Sequence, residues 1–261
     1  MTYSHRPLFF LLLLLGACRT VLVPSSPETR LLRVEAATAD TLSDAERLLR
    51  PYRDSVQGQM RSVLGEGTAA WEKKKPSGSL GNLVTDAMLE EALRAEPRTV
   101  NAVCNYGGIR LPRWPAGPIT LGQVFELLPF DNELVVLELR GYQLRQWIGL
   151  MAAQGGWPLA RPLPFDTLKM RRGEAYTDTL RRYSAGEMNG EVYRVSFEPV
   201  TDSARYWIAT NDYIANGGDQ CDFLRNCPRR STGKLLRDVL AAYIRQHSPL
   251  HPDPHARIRI R

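Results

Sequence analysis

Five residues of this 261-residue chain could together hold a flat, polar, anionic ligand: Arg110, Phe130, Asn132, Tyr213 and Asp219. Each stands in a short block rich in turn formers: Asn105-Tyr106-Gly107-Gly108-Ile109-Arg110, Leu128-Pro129-Phe130-Asp131-Asn132, and Thr210-Asn211-Asp212-Tyr213-Ile214-Ala215-Asn216-Gly217-Gly218-Asp219. A Gly-Gly pair directly after a strand lets the backbone turn sharply and approach a ligand closely. The arginine two residues on can then aim its planar fork at a phosphate or carboxylate; a surface arginine after a glycine turn is the plainer alternative. Phe130 and Tyr213 occupy loop positions rather than an apolar stripe. Two rings from distant segments can sandwich a base, with stacking contributing about 1–3 kcal/mol per base, although Phe130 could equally plug the core at a helix end. The Asn132 amide suits a base edge. Asp219 follows Gly217-Gly218 and could accept from ribose hydroxyls or stabilise an Asx turn. Asn211 and Asn216 read as turn formers.

The elements that must position these residues alternate without a regular βα rhythm. Ser43 and Glu46 open a helix with a capping box, and a second helical piece is expected through Met60, Val63 and Leu64 to the Gly65-Glu66-Gly67 stop. A strand over Thr68–Trp71 and a basic loop, Lys73-Lys74-Lys75-Pro76-Ser77-Gly78, follow. The block Leu80-Gly81-Asn82-Leu83-Val84-Thr85-Asp86-Ala87 begins a helix whose apolar positions Leu83, Ala87, Leu89 and Ala92 share a face. Strands are expected over Thr99–Cys104, Leu134–Leu139 and Tyr206–Thr210. Thr120 caps a short helix through Leu127, and helices run over Tyr142–Met151 and Leu235–Ile244. Val192–Phe197 alternates with a two-residue period, and Ala256–Arg261 reads as a closing strand. This mixture predicts an α+β fold, a mixed β-sheet with packed helices.

The beginning of the chain reads differently. Arg6 precedes the apolar run Leu8–Leu15, which is too short to cross a bilayer stably and reads as the core of a signal peptide over residues 1–17. Leu15-Gly16-Ala17-Cys18 looks like a bacterial lipobox, with cleavage before a lipidated Cys18; a plain secretory signal is the alternative. On this reading residues 18–42, with Pro24, Ser25, Ser26 and Pro27, form a tether, and residues 43–261 form the domain. Export to the cell envelope permits disulfides. A local bridge between Cys221 and Cys227 is expected, with Cys104 a buried thiol. The formal charge of +6 comes from scattered lysines and arginines rather than a stripe, which argues against nucleic acid and for anionic small molecules. His247, His251 and His255 are separated by Pro249, Pro252 and Pro254, so no aligned metal site is expected among them. No Ser, Thr or Cys is paired with a histidine base in a recognisable motif.

Taken together, the Leu-Gly-Asn-Leu, Gly-Gly-Ile-Arg, Pro-Phe-x-Asn and Ala-Asn-Gly-Gly-Asp blocks resemble the C-terminal, substrate-binding domain of the 5'-nucleotidase/UDP-sugar hydrolase family, from about Asp44 to Arg261. The resemblance implies that two aromatic rings clamp a nucleotide base while an amide, a carboxylate and an arginine complete the grip. Residue by residue these are Phe130, Tyr213, Asn132, Asp219 and Arg110. The family usually has glycine where this chain has Asp131 and often where it has Tyr106. It also carries arginines before the Leu-Gly-Asn-Leu helix, for which Lys74 or Lys75 is the nearest counterpart. Family enzymes add a metallophosphoesterase domain that supplies two divalent metals. Its Gly-Asn-His motif does not occur in this sequence, and Asp-x-His occurs only as Asp253-Pro254-His255, within the proline-broken segment already set aside. The resemblance therefore implies a clamp without catalytic residues or metals of its own, working in nucleotide hydrolysis beside a separate metallophosphoesterase. The alternative is a non-catalytic binding or scaffold lipoprotein of the envelope.

Overall fold

The computed structural model describes residues 43–161, 166–170, 185–188, 191–196 and 200–258. The chain divides into two compact units, residues 1–50 and 51–261. In the first, the described residues are the opening turns of helix α1 (Ser43–Met60). Helix α1 continues through Pro51 to Met60, and the second helical piece expected after it is instead strand β1 (Val63–Gly67). The reason is tertiary: β1 pairs antiparallel with β5 (Gly117–Thr120), and a two-residue strand β2 (Trp71–Glu72) pairs with β4 (Arg113–Trp114). Local helical spacing around Val63 yields to this ladder.

A four-stranded mixed sheet dominates the second unit. Its order is β11-β6-β10-β3, where β3 is Thr99–Ala102, β6 Glu133–Arg140, β10 Arg205–Asn211 and β11 Arg229–Leu235. β10 runs parallel to β3 and antiparallel to β6, which is antiparallel to β11 as well. Leu134-Val135-Val136-Leu137 is an unbroken apolar run because β6 is covered on both faces. Leu134 and Val136 join one buried cluster with helices α2 (Ser79–Ala95) and α6 (Leu236–His247); Val135, Leu137 and Leu139 join another with α4 (Gly141–Ala153). A separate antiparallel sheet has the order β7-β9-β8, with β7 Asp166–Met170, β8 Ala185–Met188 and β9 Glu191–Ser196. The protein thus has the α+β architecture expected from its sequence.

Two local features agree with the chemistry of their residues. Short helix α3 (Leu121–Leu127) starts at a complete capping box, Thr120 Oγ1 accepting from Gln123 N and Gln123 Oε1 accepting from Thr120 N. Such a cap satisfies two otherwise orphaned donors. The described end of the chain is held by side chains rather than a ladder, so Ala256–Ile258 is not the strand expected there. Arg257 makes a two-pronged pair with Asp86 of α2 at 2.6 and 2.7 Å, adds Asp253 at 2.9 Å and donates to Leu159 O at 3.0 Å. Asn82 Nδ2 donates to the carbonyls of Asp253 and His255, both at 3.1 Å. The Leu80–Ala87 block therefore serves as the seat of the C-terminal segment.

Candidate functional site

Strand directions gather the site. β3 and β10 are parallel, so the turns that follow them leave the same end of the sheet. β6 is antiparallel to β10, with Leu134 opposite Asn211, so the segment entering β6 arrives at that end too. Residues 105–110, 128–132 and 211–219 meet there. A backbone bond from Arg110 N to Leu127 O, 2.9 Å, ties the first segment to the second. Glu133 N donates to Asp212 Oδ1 at 3.0 Å and ties the second to the third.

Between them lies a cavity of about 380 Å³ lined by Asn105, Gly107, Gly108, Phe130, Asn132, Tyr213 and Asp219. This is the size range of small-molecule sites. Phe130 and Tyr213 remain 46% and 47% exposed, so neither ring is a core plug and both offer a face. Four of the five residues singled out from the sequence line the cavity. Arg110 stands beside it, its guanidinium 5.8 Å from the Phe130 ring centre and its Nη1 donating to Gly107 O at 3.4 Å.

The carboxylate of Asp219 is the best-anchored polar group of the site. Oδ1 accepts from Tyr213 Oη at 3.0 Å and Oδ2 from Asn105 Nδ2 at 2.7 Å. A carboxylate has about four lone-pair sites, so acceptor capacity is left for a ligand. The bond to Asp219 raises the Tyr213 phenol above its ordinary pKa and keeps the donor proton in place. Asp219 has φ 50° and ψ 42°, and Gln220 has φ 68°; such left-handed conformations cost non-glycine residues about 1–3 kcal/mol and cluster at functional sites. Gly217, φ 95°, starts the turn, and a Cβ on Gly218 would overlap the Tyr213 ring.

Asn105 is the residue that reading the sequence for ligand chemistry passed over. It is buried, and its Oδ1 accepts from Asn211 Nδ2 at 3.1 Å while Asn211 Oδ1 accepts from Ile214 N at 2.8 Å. One buried relay thus joins the turn after β3 to short helix α5 (Asp212–Ala215). The signal was an amide at the end of a buried strand, where a polar side chain needs partners. Asn216 accepts from Arg229 Nη1 at 2.7 Å, a turn-stabilising role.

The two departures at Asp131 and Tyr106 resolve without crowding the cavity. Asp131 pairs with Arg237 at 2.5 Å, which neutralises the extra negative charge. Tyr106 is half-buried and its hydroxyl donates to Lys74 O. Of the basic loop, Lys73 reaches the residue next to Arg110, donating from Nζ to Ile109 O at 2.6 Å, while Lys75 Nζ lies 5.3 Å from the Tyr106 ring centre.

The expected bridge between Cys221 and Cys227 is not formed: both thiols are free and buried, as is Cys104. Their sulfurs face different neighbours, Cys221 Sγ the carbonyl of Asp219 and Cys227 Sγ the carbonyl of Phe223 and the amide of Gln143. Both cysteines pack as small apolar residues in the cluster beneath α4, and burial pushes the Cys221 thiol up to about 12. Cys18 lies outside the described residues. Among the described residues, no group of three or more His, Cys, Asp or Glu side chains could hold a metal ion.

Comparison with known proteins fits this arrangement. A family model described as "5'-nucleotidase, C-terminal domain" matches residues 56–226. A 5'-nucleotidase of Diplobatis ommata is 27% identical over 221 residues, which is 79% of this chain and 38% of that protein. The trifunctional nucleotide phosphoesterase protein YfkN of Bacillus subtilis is 31% identical over 147 residues, 54% of this chain and 9% of that protein. The crystal structure of a 5'-nucleotidase precursor from Thermus thermophilus superposes with a TM-score of 0.65 at 26% identity, covering 84% of this chain and 43% of that one. The chain spans less than half the length of each of these relatives. It belongs to the family of 5'-nucleotidase C-terminal domains.

Proposed function

We propose that the cavity holds a nucleotide and that the chain is the substrate-holding component of a split 5'-nucleotidase. In this reading Phe130 and Tyr213 stack on the two faces of the base, and Asn132 reads its edge. Asp219, pre-set by Asn105 and Tyr213, accepts from the ribose hydroxyls. Arg110 reaches the phosphate from beside Phe130. The observation that carries the reading is the pair of half-exposed rings lining one cavity together with a doubly hydrogen-bonded carboxylate. Hydrolysis falls to a metallophosphoesterase partner holding divalent metals, which supply the activated water and polarise the phosphate. The match to the C-terminal domain of longer nucleotidases supports that division of labour.

Calorimetry with a nucleoside and its 5'-monophosphate tests the clamp. Phe130→Ala or Tyr213→Ala should each weaken binding of both ligands by about 1–3 kcal/mol, with Phe130→Tyr far milder. Arg110→Ala should weaken the monophosphate more than the nucleoside. If neither ring matters, or Arg110→Ala affects both ligands equally, the nucleotide is not held here and a scaffold role gains.

Placement follows from the sequence alone: we propose export and a lipid anchor on Cys18 in the bacterial cell envelope. A fatty-acid analogue should label the wild type in a host competent for lipoprotein processing and leave Cys18→Ser unlabelled. An unlabelled wild type would remove the anchor from the proposal.

A further inference from the structure

Asn211 does not line the cavity and is fully buried at the end of β10. Three hydrogen bonds nevertheless lead through it to the carboxylate of the site. Ile214 N donates to Asn211 Oδ1 at 2.8 Å, Asn211 Nδ2 to Asn105 Oδ1 at 3.1 Å, and Asn105 Nδ2 to Asp219 Oδ2 at 2.7 Å.

The direction of this relay is fixed at its first step. A backbone N–H can only donate, so the Ile214 amide takes the oxygen of Asn211. The Asn211 nitrogen then faces Asn105 and, as a donor, requires the Asn105 oxygen. That leaves the Asn105 nitrogen for Asp219, where a carboxylate oxygen accepts it. Turning either amide over would set like atoms against each other at hydrogen-bond distance. Both amides are buried, so bulk water could not repair a reversed pair. A Cβ on Gly108 would stand 3.0 Å from Asn105 Oδ1, so the second glycine of the turn leaves the relay its room. Tyr213, the other partner of Asp219, is half-exposed and lies only six residues away in the same segment. The relay instead ties Asp219 to the buried ends of β3 and β10.

We infer that Asn211 is a positioning residue for the Asp219 carboxylate. It sets the polarity of a buried amide relay and so makes Asn105 present a donor to that carboxylate. The inference rests on the nucleotide reading of the cavity and adds to it a residue that the ligand never meets. The oxygen of Asn211 also caps α5, but capping uses the oxygen alone and leaves the nitrogen without a purpose. Substitution separates the two roles.

The test is calorimetry on the full chain with adenosine and adenine, together with NMR of the ligand-free protein to follow exchange of the Asn105 side-chain amide. The wild type should bind adenosine more tightly than adenine. Asn211→Ser keeps an oxygen able to cap the helix and is too short to reach Asn105. It should cut the gain of adenosine over adenine by about fivefold, the scale of one hydrogen bond. Adenine binding should stay unchanged, and the Asn105 amide should exchange faster. Asn211→Asp is nearly isosteric. Its carboxyl opposes the Asn105 oxygen when ionised, but when protonated it donates there while the other oxygen still caps. Burial favours the neutral form. This variant should therefore resemble Asn211→Ser at pH 8 and return toward the wild type at pH 5. Asp212, Glu133 and Asp219 are present in both proteins, so a difference between the pH profiles belongs to the new carboxyl. If Asn211→Asp does not fold at pH 8, Asn211→Ser decides alone. An adenosine gain that survives Asn211→Ser, or Asn105 exchange that stays slow in it, overturns the inference. The two readings fail separately. Faster Asn105 exchange in Asn211→Ser, with no adenosine gain in the wild type, upholds the relay and removes the ribose reading; an adenosine gain that Asn211→Ser leaves intact does the reverse.

Discussion

Asn105 and Asp219, 114 positions apart in sequence, are joined by a hydrogen bond of 2.7 Å from Nδ2 to Oδ2, and this bond fixes the carboxylate of the site. Asn105→Ala removes it and leaves the buried Asn211 amide without its acceptor. Loss of about 1–3 kcal/mol of stability is expected, the cost of an unsatisfied buried polar group. Asn105→Asp should add a pH signature. Two carboxylates sharing one place raise the pKa of one of them. The folded state then binds more protons than the unfolded chain, and stability falls as pH rises through that raised value. Urea midpoints at pH 5 and pH 8 should separate further in Asn105→Asp than in the wild type; equal separations would mean that the two side chains do not interact.

Gly218 should prove to be a binding residue without touching the ligand. A Cβ there overlaps the Tyr213 ring, which is half-exposed and can swing away only by giving up the bond from its hydroxyl to Asp219. Gly218→Ala is therefore expected to leave the thermal midpoint almost unchanged while weakening nucleoside binding as much as Tyr213→Ala does, about 1–3 kcal/mol. Unaltered affinity with a lowered midpoint would show instead that the glycine serves the turn alone.

The pairs around Arg257 should govern acid stability. Arg257 is 9% exposed, whereas Asp86 and Asp253 keep 31% and 36%. Arg257→Met is expected to cost about 2–4 kcal/mol, at or below the fully buried case because the acids remain partly hydrated. Asp86 is raised above the usual carboxylate value, burial outweighing its bonds to Arg257. Asp253 is opposed by burial too, yet hydrogen bonds from Arg257 and His255 hold it down at about 2. A depressed acid stabilises the fold above its unfolded pKa of about 3.9 and loses that contribution as pH falls toward the folded value. Asp253→Asn should therefore flatten the loss of stability between about pH 4 and pH 2. Denaturant midpoints measured at pH 5 and pH 3 check this; a drop as steep as the wild type's would assign the acid limb to other groups.

Elements whose local and tertiary preferences agree were legible in the sequence. The capping box at Thr120 and the apolar run of β6 determined a helix and a buried strand where the structure has them. Val63–Gly67 shows the converse, since its helical spacing gives way to pairing with Gly117–Thr120, far away along the chain. Arg229–Leu235 escaped notice as a strand because its residues are largely polar; only the edge of β6 makes it one. The closeness of Cys221 and Cys227 in sequence favoured a bridge, but a short interval does not fix where two sulfurs point.

The site divides in the same way. Residue type and turn chemistry in the sequence were enough to nominate Arg110, Phe130, Asn132, Tyr213 and Asp219, because rings, amides and carboxylates in glycine-rich turns have few uses in a core. That four of them line one cavity with Arg110 at its edge was decided by strand direction, parallel for β3 and β10 and antiparallel for β6. Tertiary structure alone assigned Asn105 to Asp219, Tyr106 to the lysines and Asp86 to Arg257. Hydrogen bonds and charge pairs act over a few ångströms, and only the folded chain brings residues so distant in sequence within that reach.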